Sequence, residues 1–214
     1  MQIKILILST LFLSLSFSAL AYQAGKPQVR WKQLYRYDTR HEKHQLYVNR
    51  ISGLFTYQDR QKKQLFKITP FFEARRNINK DVWEREELGL EVGRDICPWF
   101  YLGEAIQAVW LREDYRRSDH QNYNWHKERD STESETRIVF RHKVFSIGGI
   151  ELGGFLLGEY TYDFELGAGV RDEAALGFNL PLNKHIETEV SLRHIDRIHD
   201  FDSDVVEASL TVIF

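Results

Sequence analysis

The last ten residues of the chain alternate between apolar and polar side chains. The apolar face consists of Val206, Ala208, Leu210, Val212 and Phe214, and the polar face of Glu207, Ser209 and Thr211. A repeat of two residues predicts a β-strand with one apolar and one polar side. An apolar stripe that ends on an aromatic residue is typical of the final strand of a bacterial outer-membrane barrel, which has lipid outside and polar groups inside.

The same alternation recurs along the chain and predicts ten strands. Their approximate limits are residues 28–38, 44–57, 64–76, 82–94, 99–114, 132–145, 149–163, 171–180, 185–196 and 205–214. Each segment is long enough to cross a membrane as a tilted strand, which takes about nine to eleven residues. We therefore predict an all-β protein, an antiparallel up-and-down transmembrane β-barrel of about ten strands, with eight or twelve strands as alternatives.

The connections between these segments predict the direction of the barrel. We expect the short ones, at 58–63, 95–98, 146–148 and 181–184, on the periplasmic side. The longest polar segment, 116–131, then falls on the external side. A soluble barrel of the lipocalin kind has the same alternation turned inside out, so this alternative stays open.

The N-terminal residues predict export. Lys4 precedes an apolar run that ends in the small-residue pattern Ala19-Leu20-Ala21, as in a cleaved secretory signal peptide of residues 1–21. The alternative, an uncleaved helical anchor, is less favoured because the apolar run is short for a bilayer span. Residues 22–214 then form the barrel domain, and we expect it in the cell outer membrane as a multi-pass β-barrel.

Charge and cysteine content narrow the expected partners. The chain has 29 basic and 31 acidic side chains, so it shows no basic excess and we expect no nucleic-acid partner. Cys97 is the only cysteine, which excludes an internal disulfide, and we interpret it as a turn residue. We expect a monomer in contact with outer-membrane lipid and lipopolysaccharide. The terminal residues Leu210, Val212 and Phe214 are the predicted signal for the barrel-assembly machinery.

Long charged side chains are predicted to point into the barrel. The principal members are Glu73, Arg75, Glu87, Glu91, Glu135, Arg137, Arg141, Glu151, Glu159, Arg171, Glu173, Glu187, Glu189, Arg193 and Glu207, with Arg30, Arg36 and Arg85 on the same faces. Eight strands are just filled by side chains and open porins need about sixteen. Two hypotheses follow: a salt-bridge lattice that holds a structural or surface-interaction barrel shut, or a narrow channel for small solutes whose selectivity these charges set.

One strand does not follow the pattern. Glu104 shares its face with the apolar Leu102 and Ile106 in the segment 99–114. A β-bulge or a change of register would turn its carboxyl group inward, and both are expected solutions here.

Other candidate sites are weaker. His194 and Asp196 share a strand face, which allows a barrel-embedded hydrolase or lipid-modifying enzyme, but the alternation places them on the lipid side and no nucleophile accompanies them. We therefore assign no catalytic residue. His41 and His44 have a usable metal-ligand spacing, yet scattered loop histidines are usually solvated, so we expect neither a metal nor a cofactor.

The segment 116–131 contains the external-loop binding candidates. These are Tyr123, Trp125, His126 and Arg129. Aromatic and basic groups together suit an anionic sugar or a lipopolysaccharide head group, so a binder of anionic sugars is an alternative function.

The segment from Phe140 to Phe214 resembles an uncharacterised family of bacterial outer-membrane barrels, domain of unknown function 2490. The motifs that carry the resemblance are Gly158-Glu159-Tyr160, Val170-Arg171-Asp172-Glu173, Ala175-Leu176-Gly177-Phe178-Asn179-Leu180, a short Leu-Asn-Lys turn, Arg193-His194 and the last strand with its aromatic end. The resemblance implies the same barrel fold, with Glu159 and Arg171 corresponding to a recurring Glu and Arg of the family. It implies no catalytic residue.

Overall fold

The structure, a computed structural model, describes residues 23–40, 45–58, 64–79, 81–111, 130–147, 150–197 and 202–214. The predicted signal peptide, 1–21, lies outside these ranges. Within them, no helix is long and apolar enough to cross a membrane.

Eleven strands make up the described chain. They are β1 (Gln23–Ala24), β2 (Gln28–Asp38), β3 (Gln45–Gln58), β4 (Gln64–Asn77), β5 (Val82–Cys97), β6 (Phe100–Leu111), β7 (Ser131–Ile147), β8 (Ile150–Asp163), β9 (Ala168–Asn183), β10 (Ile186–Arg197) and β11 (Ser203–Ile213). β1 continues the line of β2 beside β3, and the two are separated at Pro27, which has no N–H group for the ladder.

Strands β2 to β11 form a closed antiparallel barrel. Each pairs with its neighbours in sequence, and β11 pairs with β2, so that no long edge is left open. This confirms the predicted up-and-down barrel of ten strands, and the alternatives of eight and twelve strands are wrong. The short connections at 98–99 and 184–185 define the turn end of the barrel, and the opposite end is called the loop end.

The outer face is apolar and the inner face is charged. Leu192 is 63% exposed and Leu176 55%, whereas the inward Glu87 and Glu207 are each 2% exposed. A soluble lipocalin-like barrel would have the reverse arrangement, so that alternative is wrong. Exposed apolar side chains around a closed barrel with polar groups inside are the arrangement that hydrocarbon requires.

Aromatic side chains lie near the strand ends. At the turn end, the rings of Phe100 and Phe140 stack with centroids 4.9 Å apart, and Trp99 lies 6.1 Å from Phe140. At the loop end, Tyr162 and Phe164 form an edge-to-face pair with centroids 5.5 Å apart. Amphipathic rings at both ends are typical of the two interfaces of a membrane barrel.

Several predicted details are wrong. The expected turn 181–184 is mostly strand, because β9 continues through Pro181 to Asn183. Proline donates no N–H group, and the ladder shifts register beside it, at Ile186/Glu187. Cys97 is the last residue of β5 rather than a turn residue.

Glu104 does not turn inward. The β6–β7 ladder is continuous across it, and its burial follows the outer face of β6. The hydroxyl group of Thr136 on β7 donates a hydrogen bond of 2.6 Å to its carboxylate. The predicted bulge or register change at this residue is therefore wrong, and the carboxyl group lies among apolar outer residues.

Candidate functional site: the charged barrel interior

A continuous network of ion pairs crosses the barrel interior. Its arginines are Arg36, Arg50, Arg75, Arg85, Arg137, Arg171 and Arg193, and its glutamates are Glu73, Glu87, Glu91, Glu133, Glu135, Glu159, Glu173 and Glu207. The alternation of the strands aims these side chains at the barrel axis. The nearly equal numbers of the two charges allow each buried group to find a partner, as burial of charge requires.

Two arginines join the strands at the centre of this network. Arg137 on β7 lies 3.1 Å from Glu91, 2.8 Å from Glu135 and 2.5 Å from Glu159. Arg193 on β10 lies 2.5 Å from Glu159 and 3.0 Å from Glu207. Each guanidinium group therefore connects carboxylates from more than one strand, so the network braces the barrel across its interior.

A second group of ion pairs lies toward the loop end. Arg75 is 2.8 Å from both Glu73 and Glu87. Arg85 lies 2.5 Å from Glu87 and 3.0 Å from Glu133. Each carboxylate of this group has a tight arginine partner, so little charge is left uncompensated here.

Arg50 is paired more loosely than the other arginines. Its guanidinium nitrogens lie 3.6 Å from Glu73 and 3.7 Å from Glu91, beyond hydrogen-bond distance. Its Cζ atom lies 3.8 Å from the centroid of the buried Phe71 ring, a cation–π contact.

Sequence reasoning missed two members of the network. Arg50 was missed because both faces of β3 contain apolar residues, so its inward face could not be recognised. Glu133 falls two residues before Glu135 on β7, and that spacing was a signal that could have found it.

A cavity of about 90 Å³ lies within the network. Its lining is formed by Lys32, Leu34, Arg36, Val48, Arg50, Glu73, Arg75, Glu87, Gln107, Glu135, Arg137, Glu159, Arg171, Glu173 and Arg193. The space suffices for several water molecules with polar partners on every side. The network therefore does not fill the barrel interior completely.

The two ends of the interior differ in exposure. At the loop end, Asp38 and Asn77 are 2% and 0% exposed. At the turn end, the side chains of Arg141, Lys143 and Glu151 are 47%, 54% and 59% exposed. The inward side chains described at the turn end are thus the more exposed, and they are charged.

The remaining predicted interior residues lie near the turn end. Arg141 pairs with Asp95 at 3.2 Å. Glu151 pairs with Lys143, and Glu189 lies 3.2 Å from Lys32. Glu187 forms no ion pair with any residue that the structure describes.

The terminal strand closes the barrel with its apolar residues outward. Leu210 is exposed on the outer face, and Val212 pairs in register with Trp31. The backbone N–H of Phe214 donates to the carbonyl oxygen of Val29 at 2.9 Å. These positions leave the role of the three residues in assembly as a prediction.

His194 contacts Asp204 rather than Asp196, the residue that shares its strand face. The Nδ1 atom of His194 lies 2.7 Å from a carboxylate oxygen of Asp204, which also contacts Arg40. His194 is exposed on the outer face, as the alternation predicts. Among the described residues, no serine, threonine or cysteine side chain hydrogen-bonds to its ring.

The other candidate sites lie beyond the described part of the chain. Tyr123, Trp125, His126 and Arg129 belong to residues 112–129, and His41 and His44 fall in 41–44. In the ranges that the structure covers, no three His, Cys, Asp or Glu side chains are arranged to hold a metal ion.

Comparison with solved structures shows similarity to outer-membrane barrels. No family model matches the chain, so the resemblance to domain of unknown function 2490 stays a prediction. No curated protein matches it. Solved structures similar to the barrel include a KdgM porin, at 9% identity and a TM-score of 0.42 over 87% of this chain and 99% of that one.

Two further barrels show similar agreement. A bacterial polysaccharide outer membrane secretin has 14% identity and a TM-score of 0.45 over 91% of this chain and 65% of its own. The β domain of the Bordetella autotransporter Brka has 11% identity and a TM-score of 0.38 over 88% and 98% of the two chains.

Proposed function

We propose that this protein is a barrel of the bacterial outer membrane that acts as a narrow channel for ions and small solutes. The observation that carries the proposal is the cavity of about 90 Å³ lined mostly by charged side chains inside a closed barrel. The apolar outer face suits hydrocarbon, and the predicted signal peptide suits export. Charged groups that line a narrow passage are the means by which channels select ions.

The size of the interior limits what could pass. A ten-stranded barrel is only slightly wider than the eight-stranded barrels that side chains fill. Here the network leaves room for several water molecules, so we expect water, small ions and solutes of a few heavy atoms to pass. Oligosaccharides and peptides would require the central ion pairs of Arg137 and Arg193 to separate.

Conductance of the folded protein in planar lipid bilayers tests this function. A shift in gel mobility on boiling first establishes that the purified protein is a folded barrel. We expect small, discrete current steps in potassium chloride, and no release of disaccharides from liposomes that contain the protein. The boiled protein is the control. A folded protein that carries no current would contradict the channel and favour a purely structural barrel.

A further inference from the structure

We propose that the interior cavity contains a binding site for a small monovalent anion at Arg50, and that the barrel therefore conducts anions in preference to cations. The preference in conduction rests on the channel function proposed above. The binding site does not, since it can be occupied whether or not ions pass through the barrel.

The charges that face the cavity are not balanced. Seven of the lining side chains are lysine or arginine and five are glutamate. The carboxylates that balance them, Glu91, Glu189 and Glu207, pair with Arg137, Lys32 and Arg193 but are not part of the cavity wall. The side chains that face the space directly are therefore more often cationic than anionic, and charges interact more strongly in the barrel interior than in bulk water.

The distances identify Arg50 as the least tightly paired cation of the cavity wall. Its two nearest carboxylates are better bound by other groups: Glu73 lies 2.8 Å from Arg75, and Glu91 accepts a hydrogen bond of 2.5 Å from Tyr101. Glu91 also lies 3.1 Å from Arg137. Arg50 is farther from Glu73 and Glu91 than their other partners are, and beyond hydrogen-bond distance. Its N–H groups can therefore donate to a further acceptor.

Phe71 holds this guanidinium group in place. The ring is 4% exposed and lies 3.8 Å from the Arg50 Cζ atom. A cation–π contact positions the group without using any of its five N–H donors. A compact anion of the size of chloride suits the volume of the cavity, whereas a sugar acid does not.

Thermal unfolding tests the site independently of conduction. We compare melting temperatures in potassium chloride and in potassium gluconate at equal ionic strength, since gluconate is too large for the cavity. An anion that binds only the folded protein raises its melting temperature by mass action. We expect a higher value in chloride for the wild type, no difference for Arg50→Gln, and a retained difference for Arg50→Lys, which keeps the charge.

Arg94→Gln is the matched control. Arg94 is exposed on the outer side of β5, so the variant makes the same change of charge outside the cavity. The chloride effect should persist in it. Equal melting temperatures of the wild type in chloride and gluconate would overturn the site.

Reversal potentials in a potassium chloride gradient test the preference. We expect an anion-to-cation permeability ratio above one for the wild type and Arg94→Gln, and a several-fold lower ratio for Arg50→Gln. Currents with cation preference would overturn the proposed anion selectivity. A protein that shows the chloride effect but carries no current would support the site and contradict the channel function.

Discussion

Glu159 lies between two guanidinium groups in the barrel interior. Its carboxylate oxygens are each 2.5 Å from an arginine, Arg137 on one side and Arg193 on the other. Removal of one partner of a buried ion pair leaves the others uncompensated. We expect Glu159→Gln to lower the free energy of unfolding by about 3 kcal/mol, measured by chemical denaturation in detergent micelles.

Glu151→Gln is the matched control for this prediction. Glu151 also faces inward and pairs with Lys143, but both side chains are more than half exposed at the turn end. Exposed ion pairs contribute about 0 to 1 kcal/mol, so the loss should stay within that range. Equal losses in the two variants would contradict a stabilising role that depends on burial.

For Glu104 we make the opposite prediction, that removal of the carboxyl group stabilises the barrel. The carboxyl group lies on the outer face of β6, where a charged side chain in contact with lipid destabilises a barrel. We expect Glu104→Leu to raise the free energy of unfolding by about 1 kcal/mol, measured in lipid bilayers by urea denaturation. Ile106→Leu, on the same face, should change it little. A loss of stability in Glu104→Leu would show that the hydrogen bond from Thr136 contributes more than the carboxyl group costs.

Individual residues also show where the sequence was sufficient. The strict alternation of β8 predicts that Glu159 points inward, and its side chain is 7% exposed. Arg50 could not be assigned, because alternation requires a contrast between faces that β3 lacks. Pair distances depend on the shear of the barrel, so no pattern in one strand could indicate that Arg50 is the loosely paired arginine.

At the scale of the strand, glycines make room for aromatic rings inside the barrel. Tyr101 on β6 lies over Gly93 on β5, and a methyl group there would overlap its hydroxyl group. The ring must move and give up its hydrogen bond to Glu91. We expect Gly93→Ala to lower the free energy of unfolding by about 2 kcal/mol in denaturant titrations, as overpacking does.

Gly154→Ala provides the comparison. Gly154 lies on the outer face of β8, and the nearest atom to an added methyl group is a side-chain carbon of Val144 at 3.2 Å. This neighbour can adjust, so the effect should be small. If both variants lose a similar amount of unfolding free energy, the loss comes from replacing a strand glycine and not from overlap with Tyr101.

A titratable side chain, that of Glu165, links the β8–β9 turn to the start of β7. The backbone N–H of Thr132 at the start of β7 donates a hydrogen bond of 2.7 Å to Glu165. This bond lowers the pKa of Glu165 below its ordinary value of 4.5. Because the pKa is lower in the folded state, the contact stabilises the turn above pH 4.5 and is lost as the pH falls through the lowered pKa.

Nuclear magnetic resonance can follow this hydrogen bond as the pH is changed. We expect the amide proton of Thr132 to titrate with a midpoint below pH 4.5, and the titration to vanish in Glu165→Gln. A midpoint at or above 4.5 in the wild type would contradict the contact.

At the scale of the whole molecule, the short turns predict that the turn end of the barrel faces the periplasm. With Cys97 replaced by serine, single cysteines can be placed at Lys184, in the turn 184–185, and at Asn79, in the β4–β5 connection at the loop end. We expect a membrane-impermeant maleimide to label Asn79→Cys on intact cells, and Lys184→Cys only after the outer membrane is opened. The reverse labelling pattern would show that the barrel has the opposite orientation in the membrane.

Ten strands and their order were predictable, because alternation and turn spacing are local properties of the chain. The bounds of β9 were not, since Pro181 is typical of a turn and yet lies at the end of a ladder where its missing N–H group is tolerated. The cavity in the barrel interior could also not be predicted. Whether paired charges leave a cavity depends on how all ten strands meet.

The seam between β2 and β11 joins strands from nearly opposite ends of the chain. Contacts of such high sequence separation form slowly, because most of the chain must be ordered before they can be made. Until then β2 and β11 are both unpaired edges, and such edges invite aggregation. A chain whose barrel has not yet closed therefore depends on protection of these two strands until they meet, and the pairing of β11 with β2 completes the barrel.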